Sequence, residues 1–228
     1  MNQLIFDFAT QQYPGFDKFL GQSNGELLYM LQRQQEQFVY VWGTSGCGKS
    51  HLLQAWVAQA LDNGGRACYV DAGGMPLDEQ ALEYDYLAVD QVDKLSPFEQ
   101  ALLFEIFNNF RNSGQGKLLL AASEPPYHLN MREDLRTRFG YCLVYEIKPL
   151  SDEEKIAALD SMVAARNINV DKDIFPYLIR HWRRDMDSLV QMLDTLCNYA
   201  AVTRRSRITL PFLRQLLKEQ HSEQEELG

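Results

Sequence analysis

The sequence predicts an α/β protein, with a five-stranded parallel sheet and flanking helices followed by a small all-α domain. Up to about residue 149, short apolar runs of the strand type alternate with amphipathic helical runs, which is typical of a parallel sheet covered by crossover helices. Beyond that point only helical periodicity continues. A third observation is a glycine-rich turn between the first strand and a helix. The expected strands, all of buried type, span residues 38–42, 67–71, 86–90, 117–121 and 142–147.

Helical patterns supply the other elements and the domain boundaries. Crossover helices are expected at 50–62 and 97–112, the second beginning with Pro97, which a first helical turn tolerates. Ser151 and Glu154 form a capping box that predicts a helix to about residue 166. Three more helices are expected near 172–181, 185–202 and 210–219. We therefore expect an N-terminal peptide at 1–12, an α/β domain at 13–149 and a helical domain at 150–228.

Composition excludes several classes of protein. A chain of 228 residues with 46% hydrophobic residues can bury a substantial core. Its formal net charge of −9 argues against binding duplex DNA by broad phosphate neutralisation. The cysteines form no CxxC pair, so neither a zinc site nor a disulfide framework is indicated. No run approaches the ~20 apolar residues that span a bilayer, and no secretory leader is visible, so we expect a cytoplasmic protein.

The glycine-rich turn predicts a phosphate-binding loop (P-loop). It fits the pattern GxxxxGK[ST] in full, follows an apolar strand and opens a helix, which is the context the motif needs. Backbone N–H groups and the helix N-terminus can bind phosphate oxygens, the lysine can reach the terminal phosphates, and the final serine can ligate Mg²⁺. The predicted nucleotide contacts are Gly43, Thr44, Ser45, Gly46, Cys47, Gly48, Lys49, Ser50 and the adjoining His51.

A second acidic element follows about forty residues later. Asp90 ends an apolar strand, where such sites place a carboxylate that holds Mg²⁺, so Ser50 and Asp90 are the predicted metal-binding pair. The next residue is Gln91, where an autonomous ATPase usually carries an acid that activates water. An amide orients water but accepts no proton at neutral pH, so binding is better supported than turnover. Asp93 is the candidate substitute.

The order of these elements resembles the AAA+ ATPases, and the local sequence is similar to the group of the replication initiator DnaA. The resemblance rests on Gly15-Phe16-Asp17-Lys18-Phe19, on Gly21-Gln22-Ser23-Asn24 and on Arg138-Phe139-Gly140. It stops where the initiator carries its C-terminal DNA-binding domain. The junction Pro149-Leu150-Ser151-Asp152-Glu153-Glu154-Lys155 is similar to regulatory members of the group, which act with the sliding clamp to promote hydrolysis of DnaA-bound ATP.

The resemblance implies roles for three further residues. Ser123, at the end of the fourth strand, matches the polar sensor near the γ-phosphate. Arg138 matches the arginine finger, which stabilises developing charge on the nucleotide of a neighbouring subunit and would be catalytic together with Asp90. Arg184, at the start of a lid helix, matches the sensor that reaches from the lid to the nucleotide, with Arg183 as the competing assignment.

The N-terminal peptide resembles clamp-binding motifs, in which a glutamine precedes aliphatic and aromatic anchors. Such anchors bind because a few buried apolar groups carry most of the binding energy. The predicted clamp-binding residues are Gln3, Leu4, Ile5, Phe6 and Phe8.

The favoured interpretation is a regulator that binds ADP or ATP with Mg²⁺ and has DnaA and the polymerase sliding clamp as partners. DNA contact would be weak or indirect, no membrane would be involved, and self-association is left open. Two alternatives remain. An autonomous AAA+ ATPase, such as a helicase loader, would use Asp90 and Asp93 with Arg138 from a neighbour. A small-molecule kinase would use Arg132, Arg136 and Arg138 as a phosphoryl clamp.

Overall fold

Five apolar segments form a parallel sheet in the strand order β2-β3-β4-β1-β5. The computed structural model describes residues 13–203 and 207–225, and the chain divides into two compact units, 1–149 and 150–228. The sheet lies in the first unit, and the predicted fold class is confirmed. The strands are β1 (Phe38–Trp42), β2 (Ala67–Asp71), β3 (Tyr86–Asp90), β4 (Lys117–Ala122) and β5 (Leu143–Glu146).

The strand order brings distant parts of the sequence together at one edge of the sheet. β4 lies between β1 and β3, with Trp42 opposite Ala122 and Val89 opposite Leu120. β2 lies beside β3, with Asp71 opposite Asp90. Because parallel strands share a direction, the segments that follow their carboxyl ends are neighbours, which is where α/β sheets place their ligands.

Helices cover both faces of this sheet because its central strands are apolar on both sides. Val39 and Val41 of β1 pack with α2, whereas Phe38 and Tyr40 pack with α3, as the two-residue period of a strand requires. The helices of the first unit are α1 (Gly25–Arg33), α2 (Lys49–Asp62), α3 (Pro97–Ser113) and α4 (Glu133–Phe139).

Two of these helices, α1 and α4, were not expected from sequence. α1 has 9 residues and begins at Gly25, and α4 has 7 residues, of which only Leu135 and Phe139 are buried. Short helices expose too few apolar repeats to reveal a helical period, so their stability comes from tertiary packing.

The prediction that β5 is buried was wrong. Leu143 is 42% exposed and Val144 is 45% exposed. The strand occupies an edge of the sheet and pairs only with β1 among the described strands. Its apolar composition therefore reflects strand propensity and not burial on both faces.

A capping box fixes the start of α3. The Ser96 hydroxyl accepts a hydrogen bond from the Glu99 N–H at 3.4 Å, and the Glu99 carboxylate accepts one from the Ser96 N–H at 2.8 Å. The other oxygen of Glu99 accepts from the Leu77 N–H at 2.9 Å. Glu99 therefore ties the preceding connection to the helix end, which stabilises donors that would otherwise be unsatisfied.

The described part of the second unit contains four helices around an apolar core that includes Leu159, Leu178, Leu193 and Phe212. The predicted capping box of Ser151 and Glu154 is present at the start of the first of them. The helices are α5 (Asp152–Ala165), α6 (Ile174–His181), α7 (Met186–Val202) and α8 (Leu210–Glu225).

A small ladder interrupts these helices, although no strand was expected after residue 151. β6 (Asn169–Val170) and β7 (Arg207–Ile208) pair in parallel, with Val170 opposite Ile208. Strands of two residues are too short to show an alternating pattern, which explains why sequence periodicity missed them.

The described residues give no sign of disulfide, metal-cluster or membrane-spanning structure. All four cysteines carry free thiols. Within residues 13–203 and 207–225, no three His, Cys, Asp or Glu side chains converge in the way that a metal cluster requires. None of the helices in the same ranges is long and apolar enough to cross a membrane.

Candidate functional site

The predicted phosphate-binding loop connects β1 directly to α2. The Gly43 N–H donates to the carbonyl of Ala122 at 3.3 Å, which holds the start of the loop beside the end of β4. The Cys47 N–H donates to the Thr44 carbonyl at 3.3 Å and closes a turn. α2 then begins at Lys49, so the loop surrounds a helix N-terminus whose first N–H groups and positive dipole end can bind an anion.

Glycine is required at two positions of the loop for different reasons. A Cβ on Gly43 would lie 2.8 Å from the Cys47 Sγ and 2.9 Å from the Ile147 carbonyl oxygen. Gly48 has a φ of +99°, and a Cβ there would lie 2.9 Å from the Phe19 ring. The backbone can follow this path only because glycine has no Cβ, as expected where the backbone must approach a ligand closely.

Within the loop, the Lys49 side chain folds back onto backbone carbonyls and the Cys47 side chain is buried. The Lys49 Nζ donates to the carbonyls of Gly43 at 2.7 Å and Thr44 at 2.9 Å. Cys47 is buried, and its burial raises the pKa of the thiol more than the nearby Lys49 ammonium lowers it. A neutral buried thiol is a weak nucleophile, so Cys47 acts as a filling residue.

Ser50 and Asp90, the predicted metal-binding pair, are in direct contact. The Ser50 Oγ donates to the Asp90 Oδ2 at 2.5 Å, and the Tyr69 hydroxyl donates to the same oxygen at 3.1 Å. The Gln91 N–H donates to the other oxygen at 2.8 Å. Asp90 is only 1% exposed, so these donors replace the water that the carboxylate loses on burial.

Tyr69 is a site residue that sequence reasoning missed. It lies on β2, where burial and the Asp90 carboxylate raise the pKa of its phenol, so the hydroxyl stays protonated and donates. The oxygens of Ser50 and Asp90 are the hard ligands that Mg²⁺ prefers, and Mg²⁺ sites often use one carboxylate together with phosphates. The residues present therefore fit a Mg²⁺–phosphate site, with Tyr69 orienting the carboxylate.

Gln91 faces the end of β2. Its backbone is left-handed, with φ of 53° and ψ of 44°, and its Nε2 donates a hydrogen bond to the Asp71 carboxylate. The Gly73 N–H donates to the same Asp71 oxygen at 2.9 Å. Asp71 was also missed, because only the adjacency of β2 and β3 brings it to Gln91.

Ser123 and Asp93 lie close together on the exposed side of this edge. Ser123 directly follows β4, which ends at Ala122, and its Oγ lies 3.4 Å from the Asp93 Oδ2. Because Ala122 accepts from Gly43, Ser123 lies beside the start of the phosphate-binding loop. Ser123 thus lies near the loop, and Asp93 is hydrogen-bonded to Ser123.

His51 contacts the segment that precedes α1. Its Nε2 lies 3.3 Å from the Gly15 carbonyl oxygen, and its ring meets the Phe19 ring edge to face at 5.7 Å. The DnaA-like segment 15–19 therefore lies against the first turn of α2. His51 serves in this packing, and its predicted nucleotide contact stays a prediction.

Arg138 lies in the last turn of α4 and is held by aromatic rings. Its Cζ is 5.2 Å from the centroid of Phe104 and 6.0 Å from that of Tyr141. Its Nε is buried without a hydrogen-bond partner among the described residues. Arg132, at the other end of the helix, pairs with Asp134 at 2.6 Å, so the three arginines of the kinase alternative are not equally available.

The remaining predicted residues belong to the second unit or to the N-terminal peptide. Arg184 belongs to the turn before α7, where its Nε donates to the Ile179 carbonyl at 3.4 Å. Burial would raise the pKa of the Asp185 carboxyl, but hydrogen bonds with Ser188 outweigh it and lower the pKa, with a smaller contribution from the charge of Arg183. The clamp-binding residues Gln3, Leu4, Ile5, Phe6 and Phe8 lie outside the described residues.

Comparisons with known proteins cover both units. Residues 152–217 match the family described as Hda, lid domain. Domain III of the Thermotoga maritima replication initiation protein DnaA is similar over 90% of this chain and 95% of its own, at 21% identity and a TM-score of 0.76. AMPPCP-bound DnaA from Aquifex aeolicus is similar over 91% of this chain and 68% of its own, at 20% identity and a TM-score of 0.67.

Protein NMB1076 from Neisseria meningitidis is 60% identical over 65% of this chain and all of its own, but its TM-score of 0.48 is too low to inform the fold. The similarity to the DnaA structures establishes the fold, and the family match covers the lid domain. The chain therefore has the fold of DnaA domain III, and residues 152–217 within it match the Hda lid domain.

Proposed function

We propose that this DnaA-related replication regulator binds ADP or ATP with Mg²⁺ and, together with the sliding clamp, stimulates hydrolysis of the ATP bound to DnaA. Its own turnover is slow, and the chemistry that it promotes takes place on the nucleotide of its partner. The observation that carries the proposal is the guanidinium of Arg138, which has no carboxylate partner among the described residues.

Nucleotide binding is supported by the loop at residues 43–50. Its glycines keep the backbone accessible, the Lys49 side chain folds back onto its carbonyls, and the Ser50–Asp90 pair offers oxygens for Mg²⁺. A bound Mg²⁺ would neutralise charge on the phosphates. The related DnaA of Aquifex aeolicus is AMPPCP-bound, which favours the same use of the site here. Ser123 and Arg184 stay predicted contacts of this nucleotide.

Slow turnover is supported by Gln91. Its amide cannot take a proton from water, and its Nε2 is engaged with Asp71. Asp93, the alternative base, is engaged with Ser123. An autonomous ATPase would need one of these groups to move. A regulator that binds nucleotide without hydrolysing it rapidly therefore fits the site better.

Arg138 is suited to act on another protein's nucleotide. A guanidinium held over an aromatic ring keeps its terminal N–H donors available for phosphate oxygens, because the ring contacts only the face of the cation. An arginine supplied in this way to a neighbouring triphosphate accelerates hydrolysis by about 10³–10⁵-fold. The clamp peptide, Gln3 to Phe8, would hold the protein on DNA-loaded clamps and raise its local concentration near DnaA.

The main experiment follows hydrolysis of DnaA-bound ATP in the presence of DNA-loaded clamp. Wild-type protein should accelerate it, and Arg138→Ala should remove the acceleration. Arg132→Ala is the matched control, because it removes the arginine that immediately precedes α4, whose charge is already paired with Asp134. The Gln3→Ala variant should no longer be stimulated by the clamp. No acceleration by the wild-type protein would overturn the proposal.

Nucleotide binding has a separate test. ADP at 100 times its dissociation constant should stabilise the protein by about 2.7 kcal/mol, seen as a higher melting temperature. Lys49→Ala should lose this effect, whereas Lys94→Ala, which removes an exposed lysine outside the loop, should keep it. An ADP effect that survives in Lys49→Ala would contradict the assignment of the loop.

A further inference from the structure

Tyr141 is an exposed aromatic residue whose ring lies near two arginine side chains. The residue is 51% exposed, and the Cζ of Arg111 lies 4.0 Å from its ring centroid. The Cζ of Arg138 lies 6.0 Å from the same centroid. Arg111 comes from the last turn of α3 and Arg138 from the last turn of α4, so one ring links the ends of two helices.

The two guanidinium groups lack an internal counter-charge. Among the described residues, neither Arg111 nor Arg138 has an ion pair, whereas Arg132 pairs with Asp134 only a few residues away. The chain as a whole has an excess of acidic residues, with 31 Asp and Glu against 22 Lys and Arg. Two neighbouring cations without an acid in such a chain indicate a surface that receives an anion from outside.

We propose that Arg111, Tyr141 and Arg138 form one anion-binding face, in which Tyr141 positions Arg138 and Arg111 supplies a second guanidinium to the same phosphates. The ligand is the triphosphate of the nucleotide held by the partner AAA+ protein. This inference rests on the proposed function and adds two residues to it. Arg138 is the finger, Arg111 is a further contact, and Tyr141 is a positioning residue.

The physical basis is the way in which a ring orients a guanidinium. Cation–π contact uses the face of the cation, so the terminal N–H groups stay available for paired bonds to phosphate oxygens even though the Arg138 Nε is buried. Stacking also restricts the long arginine side chain before binding, so less rotamer entropy is lost when the phosphate arrives. Of the two arginines, Phe104 contacts Arg138, whereas Tyr141 contacts both.

The test compares variants of the full-length protein in clamp-dependent hydrolysis of DnaA-bound ATP, measuring the maximal rate and the affinity for ATP-DnaA separately. Tyr141→Ala should lower the maximal rate by about tenfold with little change in affinity, because a looser finger fails mainly in the transition state. Tyr141→Phe should keep the wild-type rate, since the ring is retained. Arg111→Ala should lower the rate and also weaken binding to ATP-DnaA more than to ADP-DnaA.

The chain offers a matched control in α1. Arg33 stacks on the exposed ring of Tyr29 at 4.4 Å, and the variants Arg33→Ala and Tyr29→Ala should behave as wild type. Melting temperatures of all variants identify any loss caused by unfolding, and Tyr141→Phe supplies a folded ring-retaining comparison.

The outcomes separate this inference from the proposed function. An inert wild-type protein would refute the proposed function. An active wild-type protein with an inactive Arg138→Ala, but with full rates in Tyr141→Ala and Arg111→Ala, would refute only the shared face. Equal weakening of ATP-DnaA and ADP-DnaA binding by Arg111→Ala would assign Arg111 to an acidic surface of the partner and would also refute its role at the phosphates.

Discussion

The side-chain amide of Gln91 donates a hydrogen bond to the carboxylate of Asp71 across the ends of β3 and β2. The contact holds the residue that follows Asp90 in a left-handed backbone conformation, which is uncommon outside glycine. It also directs the amide toward the second strand. The position that could carry a catalytic acid is therefore occupied by a structural link between two strands.

Gln91→Glu should destabilise the protein at neutral pH and should not create an efficient ATPase. The new carboxylate would lose the hydrogen bond to Asp71 and face it as a like charge, which costs about 1–3 kcal/mol. Adding Asp71→Asn should restore most of this stability, because an amide can donate to the new carboxylate. Chemical denaturation of the single and double variants measures both effects, and a single variant as stable as wild type would contradict the link.

Tyr69→Phe should weaken nucleotide binding only when Mg²⁺ is present. Without the hydroxyl, the Asp90 Oδ2 loses one of its donors, and loss of a group that orients a metal ligand typically costs about 10-fold in affinity or more. Calorimetric titration with ADP, in Mg²⁺ and in EDTA, separates the two conditions. Tyr86→Phe is the control on the neighbouring strand, and an equal loss in EDTA would show that Tyr69 acts without the metal.

Gly48→Ala should cost more stability than Gly114→Ala. Both glycines have positive φ values, +99° and +66°, so either alanine suffers backbone strain of about 1–2 kcal/mol. Only at Gly48 does the added Cβ also meet a side chain, the Phe19 ring at 2.9 Å, while Gly114 faces open space. Denaturant midpoints compare the two, and the Gly48 variant should in addition lose binding of ADP. Equal midpoints would mean that Phe19 moves aside freely.

Glu99→Gln should remove part of the pH dependence of stability. Burial raises the pKa of Glu99, but hydrogen bonds from Ser96 and Leu77 outweigh it and hold the pKa below the ordinary value of 4.5. A lowered folded-state pKa means that this stability is present above pH 4.5 and is lost as the pH falls through the folded-state value.

The wild-type protein should therefore exceed Glu99→Gln in stability by about 1–2 kcal/mol at pH 7, with the difference shrinking in acid. Unfolding free energies measured between pH 3 and pH 7, at about one-unit steps, test this. Glu105→Gln, an exposed position on the same helix, should show no such difference. If the unfolding free energies of wild type and Glu99→Gln differed by the same amount at every pH, the charge of Glu99 would not be the cause of the difference.

The sequence by itself determined the features that are local and continuous. The eight residues Gly43 to Ser50 form one uninterrupted pattern between a strand and a helix, and the structure puts them there. The strands, the long helices and the capping box at Ser151 were also predictable, because apolar periodicity and end-capping act between residues close in the chain.

The tertiary structure alone decided which separate segments meet. Periodicity does not encode strand order, so only the position of β2 beside β3 brings Tyr69 and Asp71 to Asp90 and Gln91. Short helices and an exposed edge strand carry too little pattern to be recognised, which is why α1, α4 and the exposure of β5 were missed. The surroundings of Arg138 depend in the same way on the packing of α3 against α4, because a contact between distant residues is set by burial of the whole core and not by spacing along the chain.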